Sequence, residues 1–264
     1  MDIAIAEAKI WLIGGTSDSV AIAQMLANAR IYFVVSVATP IAKDIYAAGT
    51  KVEIGCMDRH RMQDFCQQEN IAAVVDASHP HAAEVSRSAI AVTNKLNIPY
   101  LRYERSNPRV FNLASENVSE IELDSFDTLL SGNYLQGHKV LLTVGCKILP
   151  QFQSWQKRAT LYARVLPKIE SLNVANKAGF KRDRLIAIRP PLTLELEKAL
   201  WQQWKISLVV TKASGKAGGE DIKRQVAASL NIPLIIIARP QVNYPQQTTD
   251  LMEILAFCRS AIDD

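Results

Sequence analysis

The chain has 264 residues, 48% of them hydrophobic and 21% charged, with a formal net charge of +4. These proportions are those of an ordinary globular protein and exclude a disordered chain, a collagen-like repeat and a disulfide-stapled miniprotein. No apolar run approaches the length of a spanning helix. The start, with Asp2 and Glu7 ahead of a short apolar strand, lacks the basic opening and long apolar core of a signal peptide. The expectation is a soluble cytoplasmic protein of one large or two small α/β domains, with no membrane partner.

In chain order, residues 10–13 read as an apolar strand stopped by Gly14-Gly15. A helix over 19–29 then places Val20, Ala23, Leu26 and Ala27 on one face. Residues 32–38 (YFVVSVA) are β-branched and aromatic, a second strand. A short helix over 41–48 closes at Gly49, and 52–54 form a third strand before Gly55. Residues 59–69 are helical, 72–76 (AAVVD) are a strand ending on an acid, Pro80 starts a helix running to about 95, and 98–102 form the next strand. A composition shift over 125–137 reads as a linker. Beyond it come strands at 139–144, 161–165 and 185–188, and a helix at 193–204 with Glu195 and Glu197 in its first turn, where acids suit the dipole. A strand at 207–211, a helix at 220–230, a strand at 233–238 and a closing helix over 246–262 complete the chain. Near-continuous apolar strands alternating with amphipathic helices predict an α/β fold of two Rossmann-like lobes, 1–130 and 131–264, each with a parallel sheet.

The two halves differ in charge. Residues 1–130 hold 11 Lys and Arg against 16 Asp and Glu, a net of −5, whereas 131–264 hold 19 against 10, a net of +9. A basic half points to an anionic partner, either nucleic acid or a phosphate or polycarboxylate ligand. The cysteines, at 56, 66, 146 and 258, form no CxxC and no zinc-finger spacing with histidine, so no metal is expected.

Four stretches carry the chemistry. Gly14, Gly15, Thr16, Ser17 and Ser19 join the first strand to the first helix. Glycines there let a phosphate approach the backbone, and the amides and hydroxyls hold it. The full GxGxxG pattern is absent, and a plain strand–helix turn capped by Ser17 is the alternative. After the second strand no acid stands ready for a free ribose hydroxyl. Ser36, Thr39 and Lys43 are placed to receive a phosphate, which leans towards NADP. Asp76-Ala77-Ser78-His79-Pro80-His81 lies at the carboxyl end of the fourth strand, where doubly wound sheets bind ligands. It brings Ser78 as a further cofactor contact and His79 and His81 as proton donors or substrate-positioning groups. The stretch 211–219 concentrates Lys212, Ser214, Gly215 and Lys216 with two further glycines, a loop able to wrap an anion, although it lacks P-loop spacing.

Taken in order, four groups of strings resemble one family. They are Leu12-Ile13-Gly14-Gly15-Thr16; the block from Asp76 to Ala83 with Pro99-Tyr100-Leu101-Arg102; Ala163-Arg164-Val165-Leu166-Pro167; and Thr211-Lys212-Ala213-Ser214-Gly215 with Ile232-Pro233 and Arg239-Pro240. The family is that of precorrin-6A reductase and cobalt-precorrin-6A reductase, of corrin (vitamin B12) biosynthesis. Each string is short, but the set spans nearly the whole chain. The resemblance implies an oxidoreductase that uses NADPH to reduce one double bond of a macrocyclic tetrapyrrole, with the active site in a cleft between two Rossmann-like lobes. One departure stands out: members often carry Arg after the second strand, where this chain has Ala38-Thr39-Pro40.

A substrate ringed by acetates and propionates suits the basic half. Arg102, Arg105, Lys147, Arg164, Lys212 and Lys216 are the expected carboxylate partners. Two other readings are a nucleotide-sensing NAD(P)-binding protein without catalysis and a reductase of a smaller acid. Against nucleic acid, the basic residues cluster at strand-end loops, with no helix-turn-helix or RNA-stacking motif. Each lobe can cap its own sheet without a partner, which is compatible with a monomer but does not fix the oligomeric state.

Overall fold

A computed structural model of the protein describes residues 7–104, 120–190 and 192–263. Arg105 lies outside the described residues. The chain divides into two compact units, one of residues up to 106 with 241–264, the other of 107–240.

The first unit is built on a six-stranded parallel sheet. Its strands are β1 (Lys9–Ile13), β2 (Phe33–Val37), β3 (Val52–Ile54), β4 (Ile71–Asp76), β5 (Tyr100–Tyr103) and β12 (Gln247–Thr248), in the order β12-β5-β4-β1-β2-β3. Alternation along β1 decides the two cores. Ile10 and Leu12 pack against Ile22 and Leu26 of α1 (Ser17–Asn28) and Ile254 and Cys258 of α8 (Leu251–Asp263). Trp11 and Ile13 point the other way, to Met62 and Phe65 of α2 (Arg59–Gln68) and Ala89 and Val92 of α3 (Ala83–Leu96). Covering both faces is what lets the strands be apolar at nearly every position.

The second unit repeats the plan. Its strands are β6 (Glu120–Leu123), β7 (Lys139–Thr143), β8 (Thr160–Val165), β9 (Leu185–Ala187), β10 (Leu208–Lys212) and β11 (Leu234–Ile237), all parallel, in the order β6-β11-β10-β7-β8-β9. Val140 and Leu142 face Leu149, Phe152 and Trp155 of a 3₁₀ stretch, Cys146–Lys157, and Ala175 of α5 (Ile169–Lys177). Leu141 and Val209 face Trp201 of α6 (Leu194–Gln203) and Val226 and Ala227 of α7 (Glu220–Leu230).

Several expectations are corrected. The boundary expected at 130 misses that β6 already belongs to the second sheet and that 241–264 return to the first. Each sheet takes its outermost strand, β12 or β6, from outside its own β–α run, and pairing of so distant a segment leaves no local pattern. The 125–137 linker contains α4 (Phe126–Ser131), capped by Ser125, whose Oγ accepts from the Thr128 amide at 3.1 Å. The 41–48 helix is a 3₁₀ turn, Pro40–Ala42, followed by further turns. The helix expected from Pro80 starts at Ala83, because His79 to Ala82 close a separate turn, with the Ala82 amide on the His79 carbonyl at 2.7 Å. The closing helix starts at Leu251, not 246, after β12. Among the described residues no helix is long and apolar enough to cross a membrane.

Candidate active site

In both sheets the strand order reverses direction beside the first strand of the run, between β1 and β4 and between β7 and β10. Loops at the carboxyl ends of such a pair diverge and leave room for a ligand.

At the first switch point the chain turns at Gly14-Gly15 into α1. Thr16, not Ser17, caps the helix. Its Oγ1 accepts from the Ser19 amide at 3.1 Å, and the Ser19 Oγ accepts from the Thr16 amide at 3.0 Å, a reciprocal capping box. The Tyr46 hydroxyl seals the turn from outside: it accepts from the Gly15 amide at 2.8 Å and lies 2.6 Å from the Ser19 Oγ. Gly14 is needed for this approach, since a Cβ there would fall 2.2 Å from the Tyr46 hydroxyl. Gly15 is exposed and has φ +95°, a left-handed conformation that favours glycine. The nearest atom to a Cβ built on it would be Ala42 Cβ at 3.9 Å. The exposed pair Thr39 and Lys43 flanks that Ala42, so the turn after β2 sits beside the glycine turn.

This fits a dinucleotide. Backbone at Gly15 is open to close approach, Ser17 is exposed at the start of α1, and Thr39 and Lys43 are exposed on the turn after β2. Ser19 and Ser36 do not face outward. Ser19 is buried in the capping box, and Ser36 is buried beneath Trp11, whose Nε1 donates to its Oγ at 2.8 Å.

The loop after β4 rests on a buried polar network. Asp76 is fully buried. Its Oδ1 accepts from the Ser78 amide and from Arg102 Nη1, both at 2.9 Å. Its Oδ2 accepts from the Ser86 and Tyr100 hydroxyls, both at 2.6 Å. Arg102, only 1% exposed, also donates to the Ser78 Oγ at 3.0 Å and to Glu104 Oε2 at 3.0 Å, and lies 5.4 Å from the Tyr244 ring centre. Burial acts against its charge, but Asp76, Tyr244 and Glu104 outweigh that and raise its pKa above the ordinary arginine value. Burial, then the Asp76 carboxylate, pushes the Tyr100 hydroxyl far above its usual range, so it stays a donor. Arg102 was expected to meet a substrate carboxylate; its guanidinium is engaged in holding this loop instead. Above the network His79 is exposed and His81 half-buried, their ring centres 5.9 Å apart, with the His81 amide donating to His79 Nδ1 at 3.1 Å.

At the second switch point β7 runs into Gly145, at φ +81°, and β10 into the stretch from Lys212 to Gly219. Lys147 is exposed, while the half-buried Lys212 carries its ammonium 5.6 Å from the Phe126 ring centre. Burial lowers the Lys212 pKa, Cys146 opposes that, and the like charge of Lys147 adds to it. An anion taken between the two ammonium groups would relieve the repulsion. Ser214 and Gly215 are buried and Lys216 is exposed. Arg164 is buried against Glu197, which also accepts from Trp201 Nε1 at 3.0 Å. Like Arg102, Arg164 is committed to an internal ion pair.

The two switch points thus gather most of the expected residues and remove two arginines from the exposed set. Sequence reading misses Tyr46, Ser86, Tyr100 and Tyr244, which act on the first site from other elements, and Glu197, which pairs with Arg164 at the second. Only the acid ending β4 gives a local signal.

The chain matches the family model described as precorrin-6x reductase CbiJ/CobK over residues 9–259. It is 43% identical to the cobalt-precorrin-6A reductase of a Synechocystis species, with 96% of each chain covered. It is 33% identical to the cobalt-precorrin-6A reductase of Priestia megaterium, over 89% of this chain and 92% of the relative. Among solved structures the fold is that of CobK precorrin-6A reductase, with a TM-score of 0.77, 22% identity and coverage of 96% of this chain and 97% of that one. The chain belongs to the precorrin-6x reductase family, oxidoreductases of cobalamin biosynthesis.

Proposed function

We propose that this chain reduces one double bond in the macrocycle of cobalt-precorrin-6A to the 6B form, with NADPH as reductant. The observation that carries the reading is the family match from residue 9 to 259, which takes in both switch points. The cobalt-bearing substrate is preferred because the relatives named above are cobalt-precorrin reductases; the cobalt-free macrocycle is the alternative substrate of the same site.

NADPH, when bound, supplies the hydride. Ser17 at the exposed start of α1 would hold its pyrophosphate, with the Gly15 backbone close beside it, and Thr39 and Lys43 its ribose phosphate. Lys147, Lys212 and Lys216 receive substrate carboxylates, with the backbone at Gly215 close by. His79 and His81 orient the substrate or hold the proton that the second reacting carbon takes up. Ser78, its amide and hydroxyl bound to Asp76 and Arg102, fixes the start of the histidine loop. Arg102 and Arg164 shape these loops from beneath. Holding the reacting carbons within about 3–3.5 Å of one another would supply much of the acceleration. Four free thiols suit a reducing compartment and favour the cytoplasm. Helices of the same chain cover both faces of each sheet, so a monomer suffices.

Anaerobic incubation with NADPH and cobalt-precorrin-6A tests the reading. Loss of NADPH absorbance together with a spectral change of the macrocycle is the expected result. An unchanged mixture, with both macrocycle forms and with NADH as well as NADPH, would overturn it.

A further inference from the structure

Two buried side chains of α7 have no part in the reaction as described so far. Glu220 is fully buried. Its Oε2 accepts from the Gly215 amide at 2.8 Å, while its Oε1 accepts from Arg224 Nε at 3.3 Å and Nη2 at 3.0 Å. Lys223, 3% exposed, donates from Nζ to the Gly218 carbonyl at 2.7 Å and the Gly219 carbonyl at 3.0 Å. The two residues are three apart on the helix, hence on one face, and both reach back over the loop that precedes it.

That loop holds a 3₁₀ turn, Lys216–Gly218, in which the Gly218 amide donates to the Gly215 carbonyl at 3.0 Å and the Gly219 amide to the Lys216 carbonyl at 2.8 Å, and α7 anchors the turn at both ends. Gly215 and Gly219 have positive φ, +70° and +66°, which a non-glycine residue adopts only at a cost. Gly218 packs so tightly that a Cβ on it would fall 2.0 Å from the Ser214 Oγ. A buried ammonium is costly unless hydrogen-bonded and balanced by charge. Two carbonyls accept from Lys223, and the carboxylates of Glu197 of α6 and Glu220 and Asp221 of α7 favour its charge, while burial and then the like charge of Arg164 of β8 oppose it and lower its pKa to about 8. One helix thus grips the loop at both ends, by an amide at 215 and by carbonyls at 218 and 219. Between those grips lies the exposed Lys216.

We infer that Lys223 and Glu220 are positioning residues for substrate: they set the 215–219 loop in the conformation that presents Lys216 to a substrate carboxylate. The inference rests on the reading proposed above. It gives a buried lysine a task at the substrate without contact with it.

The test uses the full-length protein and two variants. Lys223→Met keeps the aliphatic stem and removes the donor. Gly218→Ala keeps the Lys223 side chain and displaces the loop sterically, with the Gly218 carbonyl that Lys223 holds, so it serves if the first variant folds poorly. Amide hydrogen exchange over 213–219 without ligands reads the loop itself. Steady-state kinetics with cobalt-precorrin-6A and NADPH read the consequence. Exchange in the loop at least tenfold faster, with the KM for the macrocycle raised roughly tenfold and the KM for NADPH and kcat within about threefold of the parent, is the expected result. Unaltered exchange in both variants would overturn the positioning role whatever the reaction. Faster exchange with an unaltered macrocycle KM would overturn it too, while leaving the proposed reaction standing. A parent protein that reduces neither macrocycle form would overturn the proposed function, and the link to substrate with it.

Discussion

The two units share one plan and use it differently. Each runs 3-2-1-4-5 across its sheet and borrows an outer strand, so the same two loops, after the first and fourth strands, meet at each switch point. In the first unit they carry glycines, hydroxyls and a buried acid; in the second they carry lysines over a buried acid–base cluster. The first unit holds 11 basic and 15 acidic residues, a net of −4, and the second 19 and 11, a net of +8. A common topology therefore brings the same two loops to each switch point, and their side chains set the chemistry each offers a ligand.

The largest test of that contrast compares the buried arginines. Arg102 bridges Asp76, Ser78 and Glu104, whereas Arg164 pairs with Glu197 alone among the contacts described. Arg164→Met should cost about 3–5 kcal/mol in urea unfolding, because the buried Glu197 then keeps only Trp201 Nε1 among the donors described, and Arg102→Met less, because Asp76 keeps the Ser78 amide and the Ser86 and Tyr100 hydroxyls. Equal losses would erase the distinction.

A second test follows from Lys223, whose pKa burial, and then Arg164, lower from 10.5 to about 8. Between pH 8 and 10.5 the unfolded chain holds a proton that the folded chain does not. Stability contributed by this group is therefore lowest below pH 8 and rises as pH increases through that window. Relative to Lys223→Met, the parent should gain about 1–3 kcal/mol from pH 7.5 to 10 in parallel denaturant titrations. A flat difference would mean that the ammonium is solvated.

At the first switch point, Lys43→Ala should weaken NADPH relative to NADH by roughly tenfold in kcat/KM, through one lost charge-assisted contact to the ribose phosphate. The same change should leave the KM for the macrocycle alone. The smallest effect is expected from Tyr46→Phe, which takes away the partner of the Gly15 amide and costs about 1 kcal/mol, with a modest rise in NADPH KM.

Much of this could be read along the chain. Apolar runs such as IWLI and LIII announce strands covered on both faces, and the Thr16–Ser19 turn announces a helix start after a strand. The residues 41–48 misled, because helix-forming composition there is overridden by a tertiary contact, the Tyr46 hydroxyl held against the Gly15 amide and Ser19. The arginines at 102 and 164 misled in the same way. Their charge is visible in sequence, but whether it faces solvent or a carboxylate dozens of residues away is not.

What the sequence determined by itself was periodic or local: alternating strands and helices, the glycine turn, and the surplus of cations in the second half. Tertiary structure alone decided which strand closes each sheet, which arginines are engaged within, and which lysines converge. Those outcomes depend on burial and on pairing between segments far apart in the chain, and neither leaves a trace in neighbouring residues.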